Sequence, residues 1–163
     1  MRYQKEKFKN AVLYLGKCAG SDVGKKKLAK LLYFLDFTLY ELRKKALTGM
    51  AYTKKDYGPM PEPRVFYPAL EELESEGLIE IEKSNETPLQ RIVPKKEPNM
   101  QVFDEKEIEI LKETAEKFRL ETAGSLEKIA QSEPPYKMVE YGDEIPYHLA
   151  FYRNSYGEMD LDE

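Results

Sequence analysis

The sequence predicts an α+β, predominantly helical single domain in which a winged-helix-like helix is followed by a small β-hairpin. Three observations carry that prediction. The run Leu31-Leu32-Tyr33-Phe34-Leu35-Asp36-Phe37-Thr38-Leu39-Tyr40 holds one charge, Asp36, and a helix apolar on nearly every side belongs at the centre of a domain. Apolar residues recur at helical spacing in further segments before and after it. Finally, Leu78-Ile79-Glu80-Ile81-Glu82 alternates as a strand does, directly after a helix closed by Gly77. A chain of 163 residues is long enough to bury one such core.

Taken in order, the first helix is predicted over residues 3–18, with Phe8, Val12 and Leu15 on one stripe and Ala11 beside it. Ser21 or Asp22 caps the next, which runs from about Val23 to Leu47. Leu28, Leu31, Leu32, Leu35, Leu39, Leu42 and Ala46 form its stripe, Tyr33, Phe34, Phe37 and Tyr40 cover much of the other side, and Thr48-Gly49 ends it. Pro59, Pro61 and Pro63 predict an extended, stiff connector. A third helix over residues 64–76 turns Val65, Phe66, Ala69, Leu70 and Leu73 inward, with Pro68 tolerated near its start. Ser84 to Pro88 reads as a turn and Leu89 to Pro94 as the returning strand of a hairpin. Phe103-Asp104-Glu105-Lys106-Glu107-Ile108 supplies an Asp cap, a Glu three residues on and a flanking apolar pair, so a helix begins at Glu105. A shorter helix spans Ala123 to Gln131, and Pro134-Pro135 stops regular structure. Ile145-Pro146 opens a last short helix through Tyr152, and residues 154–163 read as an acidic, flexible tail.

Composition bounds the function. With 41% hydrophobic and 34% charged residues and a mean hydropathy of -0.67, the chain reads as a soluble globular protein with no membrane association. Its N-terminus alternates charges and lacks a secretory signal pattern, so a cytoplasmic location is expected. The net charge of -4 conceals an asymmetry: residues 1–55 hold fourteen Lys/Arg against four Asp/Glu, and the remainder is strongly acidic. Lys25, Lys26 and Lys27 in that basic third are the candidate nucleic-acid contacts; as solvated residues at a helix end they need no ligand. DNA binding through the helix 64–76 is disfavoured, because Glu71, Glu72, Glu74 and Glu76 would repel phosphates.

Catalytic devices are scarce. One His, His148, and one Cys, Cys18, lie far apart in sequence, which argues against a metal centre, a cofactor or a nucleophilic triad. Gly20-Ser21-Asp22-Val23-Gly24-Lys25-Lys26 is one residue too short between its glycines for a phosphate loop and lacks the Ser or Thr after its lysine, so it reads as a helix start. No enzyme is indicated. What remains is binding, which 12 tyrosines favour because tyrosine joins an apolar face to a polar tip.

The segment Lys27 to Phe37, followed by Leu47-Thr48-Gly49 and Tyr57-Gly58-Pro59-Met60-Pro61, resembles the SocA-like Panacea antitoxin domain family. The likeness extends to Leu70 to Ile79 and to the closing Ile145-Pro146-Tyr147-His148-Leu149-Ala150-Phe151-Tyr152, covering most of residues 5–152 and placing such a domain over residues 1–153. The resemblance implies a mostly helical protein that binds and neutralises a cognate toxin encoded nearby, or presents that toxin to a protease complex; members also occur in phages and mobile elements. A DNA-binding transcriptional regulator using the basic N-terminal third is the alternative. Where the family has a Ser-His pair and then a Trp, this chain has Ser132-Glu133 and then Tyr136, which leaves Tyr136 as the packing substitute.

Within the matched motifs Tyr33, Asp36, Tyr57, Gly58, Pro59 and Tyr136 are the residues expected to contact a partner or to latch the structure. A charged, unpaired Asp36 in a dry helix would be destabilising by several kcal/mol, so backbone N–H groups or a tyrosine hydroxyl from the Gly58-Pro59 loop are expected to satisfy it. Gly58 is expected to permit a close approach or positive φ, and Pro59 to stiffen the loop.

Overall fold

A computed structural model describes residues 2–83 and 90–153. Its centre is helix α2, Lys25–Arg43, in which every side chain from Lys27 to Phe37 is buried. Around it stand α1 (Lys5–Cys18), α4 (Glu105–Lys117), α5 (Ala123–Gln131) and a 3-10 helix at Tyr147–Tyr152. The architecture is predominantly helical α+β, as the periodicities predict, with two antiparallel hairpins where one was expected.

Local chemistry accounts for the boundaries. Asp104 and Glu107 form the reciprocal capping box read from the sequence, and Thr122 with Ser125 makes a second at the start of α5. Helix α3, Pro63–Ser75, begins on a proline at its first turn and buries Phe66, Leu70 and Leu73. Gly77, at φ +76°, then turns the chain into β3 (Ile79–Lys83), which pairs with β4 (Gln90–Pro94) in the register Ile81 to Ile92. This is the helix-plus-hairpin unit expected from element order; its turn, residues 84–89, lies outside the described residues.

Three expectations are corrected. Helix α2 ends at Arg43 rather than near Leu47, because Lys44 adopts the left-handed conformation at φ 59° while its N–H bonds the Tyr40 carbonyl. The chain then folds back, which brings Leu47 and Thr48 alongside the middle of α2 instead of extending it. The proline-rich connector is a strand: β2, Gly58–Pro61, pairs with β1, Tyr52–Lys55. On its other side β1 meets the segment 142–145, through Ile145 N–H to Tyr52 O at 2.7 Å and Lys54 N–H to Asp143 O at 3.0 Å. That leaves β2 at the edge, where prolines without a donor are tolerated. Finally, Pro134-Pro135 opens a short helix, α6 (Pro134–Lys137), because proline suits the first helical turn. The expected flexible tail, 154–163, lies outside the described residues.

Candidate functional site

Asp36 is fully buried, and each oxygen accepts two hydrogen bonds. Oδ1 takes the Leu47 N–H at 2.8 Å and the Thr48 N–H at 2.7 Å. Oδ2 takes the Thr48 hydroxyl at 2.5 Å and the Tyr52 hydroxyl at 2.6 Å. Burial pushes the carboxyl upward from its ordinary value, while these donors pull it back. Four donors around four lone-pair sites are the environment of an acceptor-only, ionised carboxylate. The kinds of group expected are there, a tyrosine hydroxyl and backbone N–H groups, but they come from the return segment and β1, not from the Gly58-Pro59 loop. The reason is the early end of α2, which delivers residues 47–52 to Asp36 first. Tyr147 completes the wall, with its ring 4.8 Å from that of Phe37 and its hydroxyl donating to the Met50 carbonyl.

Tyr33 lies one turn before Asp36, its ring 6.1 Å from Tyr52 and 4.7 Å from Phe37. Its hydroxyl donates to Glu133 Oε1 at 2.8 Å. Glu133 in turn accepts from Arg153 Nε at 3.1 Å and Nη2 at 3.3 Å, and Arg153 Nη1 reaches Thr38 at 3.1 Å and Glu41 at 3.3 Å. Glu133, which stands where the resemblance led to the expectation of a histidine, therefore belongs to a part-buried network that ties α2, α6 and the 3-10 helix together. Burial, then the neighbouring Glu133 charge, hold the Tyr33 phenol well above its ordinary value.

The Tyr57-Gly58-Pro59 motif runs from the turn after β1 into the start of β2 and meets a different residue of α2, Lys30. The Lys30 ammonium donates to the Pro59 carbonyl at 3.0 Å and lies 5.4 Å above the half-exposed Tyr57 ring. Gly58 has φ +102°, and a Cβ there would stand 3.2 Å from Lys30 Cε and Nζ, so both roles expected of the glycine are geometrically present. Burial lowers Lys30 to about 8, with Lys26 pushing the same way and Glu127 opposing. Because the folded-state value lies below the unfolded one, the folded protein holds fewer protons between about 8 and 10.5, and stability rises with pH across that window. In urea unfolding, wild type is expected to gain on Lys30→Met by about 2 kcal/mol between about pH 7 and 9.5. A constant difference between the two would show that Lys30 titrates normally.

Tyr136 is buried, and its hydroxyl donates to the Lys55 carbonyl at 2.6 Å. The Lys54 ammonium sits 4.4 Å from the Tyr136 ring and 4.6 Å from the Tyr141 ring, and donates to the Val139 carbonyl at 3.1 Å.

The three candidate phosphate-binding lysines divide. Lys26 is exposed, and Lys25 is half-buried, with its ammonium 5.7 Å from the Tyr67 ring. Lys27 is only 1% exposed and bonds Asp22 at 2.8 Å and the Arg119 carbonyl at 3.2 Å. Lys27 is therefore corrected from a solvated cation to an internal brace. A buried ammonium demands a partner, and Asp22 provides it.

Sequence reasoning missed Thr48, Tyr52, Lys30 and Arg153. A usable signal existed for Thr48, a hydroxyl beside Gly49 shortly after a helix with a stranded carboxylate. None existed for Arg153, whose partners lie 20 and more residues away. Among the described residues no group of three or more His, Cys, Asp or Glu side chains is placed to hold a metal ion, and no helix is long and apolar enough to cross a membrane.

The sequence profile of the family described as Antitoxin SocA-like, Panacea domain matches residues 28–137. The match covers more than half of the chain, and the protein belongs to this family. It is an antitoxin-like Panacea-domain protein. The matched stretch holds Lys30, Tyr33, Asp36, Tyr57, Gly58, Pro59, Glu133 and Tyr136, while Arg153 and the closing Ile145–Tyr152 motif lie beyond it. No curated protein and no solved structure matches the chain.

Proposed function

We propose that this protein is a non-catalytic, cytoplasmic antitoxin that binds a toxin protein encoded nearby and neutralises it, or presents it to a protease. Membership of the antitoxin-like family over residues 28–137 is the observation that carries the reading. The chemistry of the site agrees with it. Asp36, Glu133 and Arg153, the groups that could have served a reaction, are occupied with one another or with the backbone and hydroxyls around them. Exposed rings, among them Tyr57, Tyr67, Tyr141, Phe151 and Tyr152, are the residue types that populate protein interfaces. The DNA-binding alternative draws less support, since Lys27 is held internally and the face of α3 carries exposed Glu71, Glu72, Glu74 and Glu76.

Each reading frame adjacent to the gene, expressed alone and then together with this chain, provides the test. One frame is expected to arrest growth alone and to be tolerated when this protein is present. If every adjacent frame is harmless alone, or a toxic one is no better tolerated in its presence, the antitoxin reading fails.

A further inference from the structure

The last turn of α1, the end of β4 with the residues after it, and the segment following α4 enclose an open cleft of about 740 Å³. Five cations line it: Lys17 from α1, Arg91 on β4, Lys95 and Lys96 just beyond, and Arg119 after α4. One carboxylate, Glu97, lies among them. This is a concentration of positive charge on a chain whose net charge is -4. Lys17 is paired with Glu97 and Lys95 with Glu80, the latter at 2.9 Å. Arg91 and Lys96 have no ion pair among the described residues, and Arg119 has only a 3.9 Å approach to Glu116. Three cations are thus left over, converging on one space.

The walls are fixed by close backbone packing. Gly16 lets α1 press against Pro94, where a Cβ would come within 2.8 Å of Cγ. Gly20, at φ +117°, admits the Arg119 carbonyl to within 2.4 Å of where its Cβ would be. The buried Lys27 bonds that same carbonyl from inside at 3.2 Å. The lysine that sequence singled out as a phosphate contact therefore holds the Arg119 wall of the cleft in place.

We propose that this cleft docks an acidic, partly apolar segment of a partner protein in extended form. Three complementary features select that occupant. Arg91, Lys96 and Arg119 offer donors for carboxylates. The last turn of α1 presents carbonyls with no intrahelical N–H, and a peptide backbone can bond them whereas a phosphodiester backbone cannot. Val93, Pro94 and Leu120, the last 86% exposed, give apolar surface between the charges. Nucleic acid fits less well: among the described residues no aromatic ring lines the cleft for a base to stack on. The inference goes beyond the antitoxin reading, since either can hold without the other.

The full chain is titrated by fluorescence anisotropy with a labelled synthetic peptide alternating glutamate and leucine, at about 50 mM and about 300 mM salt. A labelled DNA duplex and an RNA oligonucleotide serve as comparisons. Saturable peptide binding is expected, weakened at the higher salt and by about tenfold or more in Arg91→Glu/Lys96→Glu, since exposed pairs contribute modestly and two charges are reversed. Both side chains are exposed, so the variant is expected to keep the wild-type melting temperature, and a Lys44→Glu/Lys45→Glu control, remote in sequence from the cleft residues, is expected to bind as wild type does. Absence of saturable peptide binding at low salt, equal binding by the cleft variant, or tighter binding of either oligonucleotide would overturn the proposal. A fall in affinity matched by the Lys44/Lys45 control would overturn it too, by showing a general charge effect.

Discussion

Replacing Asp36 with alanine is expected to destabilise the protein by about 3 to 5 kcal/mol. The substitution strands four donors at once in a fully buried place: the Leu47 and Thr48 N–H groups and the Thr48 and Tyr52 hydroxyls. Each buried donor left unsatisfied costs about 1 to 3 kcal/mol, and local rearrangement recovers part of the sum. The damage spreads because residues 47–52 connect α2 to β1, whose other edge carries the segment 142–145. Asp36→Asn keeps the shape and one acceptor oxygen, and the two hydroxyls can reorient toward its amide, so about half the loss is expected. Urea unfolding of the three proteins measures this directly. An Asp36→Ala protein with a wild-type midpoint that no longer bound its partner would move Asp36 from the interior scaffold to the interface.

The second large effect is expected at Glu133, where alanine should cost about 2 to 4 kcal/mol. Without that carboxylate the Tyr33 hydroxyl loses its acceptor and the 6% exposed Arg153 loses both of its bonds to it. Arg153 keeps Glu41 at 3.3 Å and Thr38 at 3.1 Å, so the larger part of the loss comes from the Tyr33 hydroxyl left without its acceptor. Glu133→Gln, which keeps a carbonyl acceptor for the Tyr33 hydroxyl, is accordingly expected to lose less than half as much as Glu133→Ala, as urea midpoints would show. Equal losses in the two variants would mean that the Glu133 charge on Arg153, and not the acceptor for Tyr33, carries the effect.

These two residues also mark how far the sequence could be read. Helical and strand periods placed α1 to α5 and the β3–β4 hairpin, because each repeats apolar residues toward the core, although the expected Ser21 or Asp22 cap is not used and α2 starts after Gly24 without a side-chain cap. The Asp104/Glu107 capping box is a case where three adjacent residues suffice. The β1–β2 hairpin was illegible: prolines normally mark a break, and only the tertiary position of β2 at the edge makes Pro59 and Pro61 compatible with a strand. The early end of α2 was illegible for a similar reason. Nothing at Lys44 signals a left-handed turn, and Ala46 and Leu47 continue the apolar pattern although they belong to the returning chain. Burial of Asp36 followed from its neighbours on one helix, but its partners came from a different part of the chain than the motif beside it suggested. Lys27 shows the converse limit, since Asp22 five residues earlier and Arg119 far along the chain internalise a charge that composition assigns to the surface.

The antitoxin account is tested most directly by titrating the purified toxin with this protein and following both complex mass and toxin activity. A binding protein without catalysis is expected to form a saturable complex of defined stoichiometry. Toxin activity should fall in proportion to the complex formed, and the toxin released by denaturation should have unchanged covalent mass. Loss of toxin activity at far less than stoichiometric amounts of this protein, or full toxin activity with no complex at saturating amounts, would contradict the account.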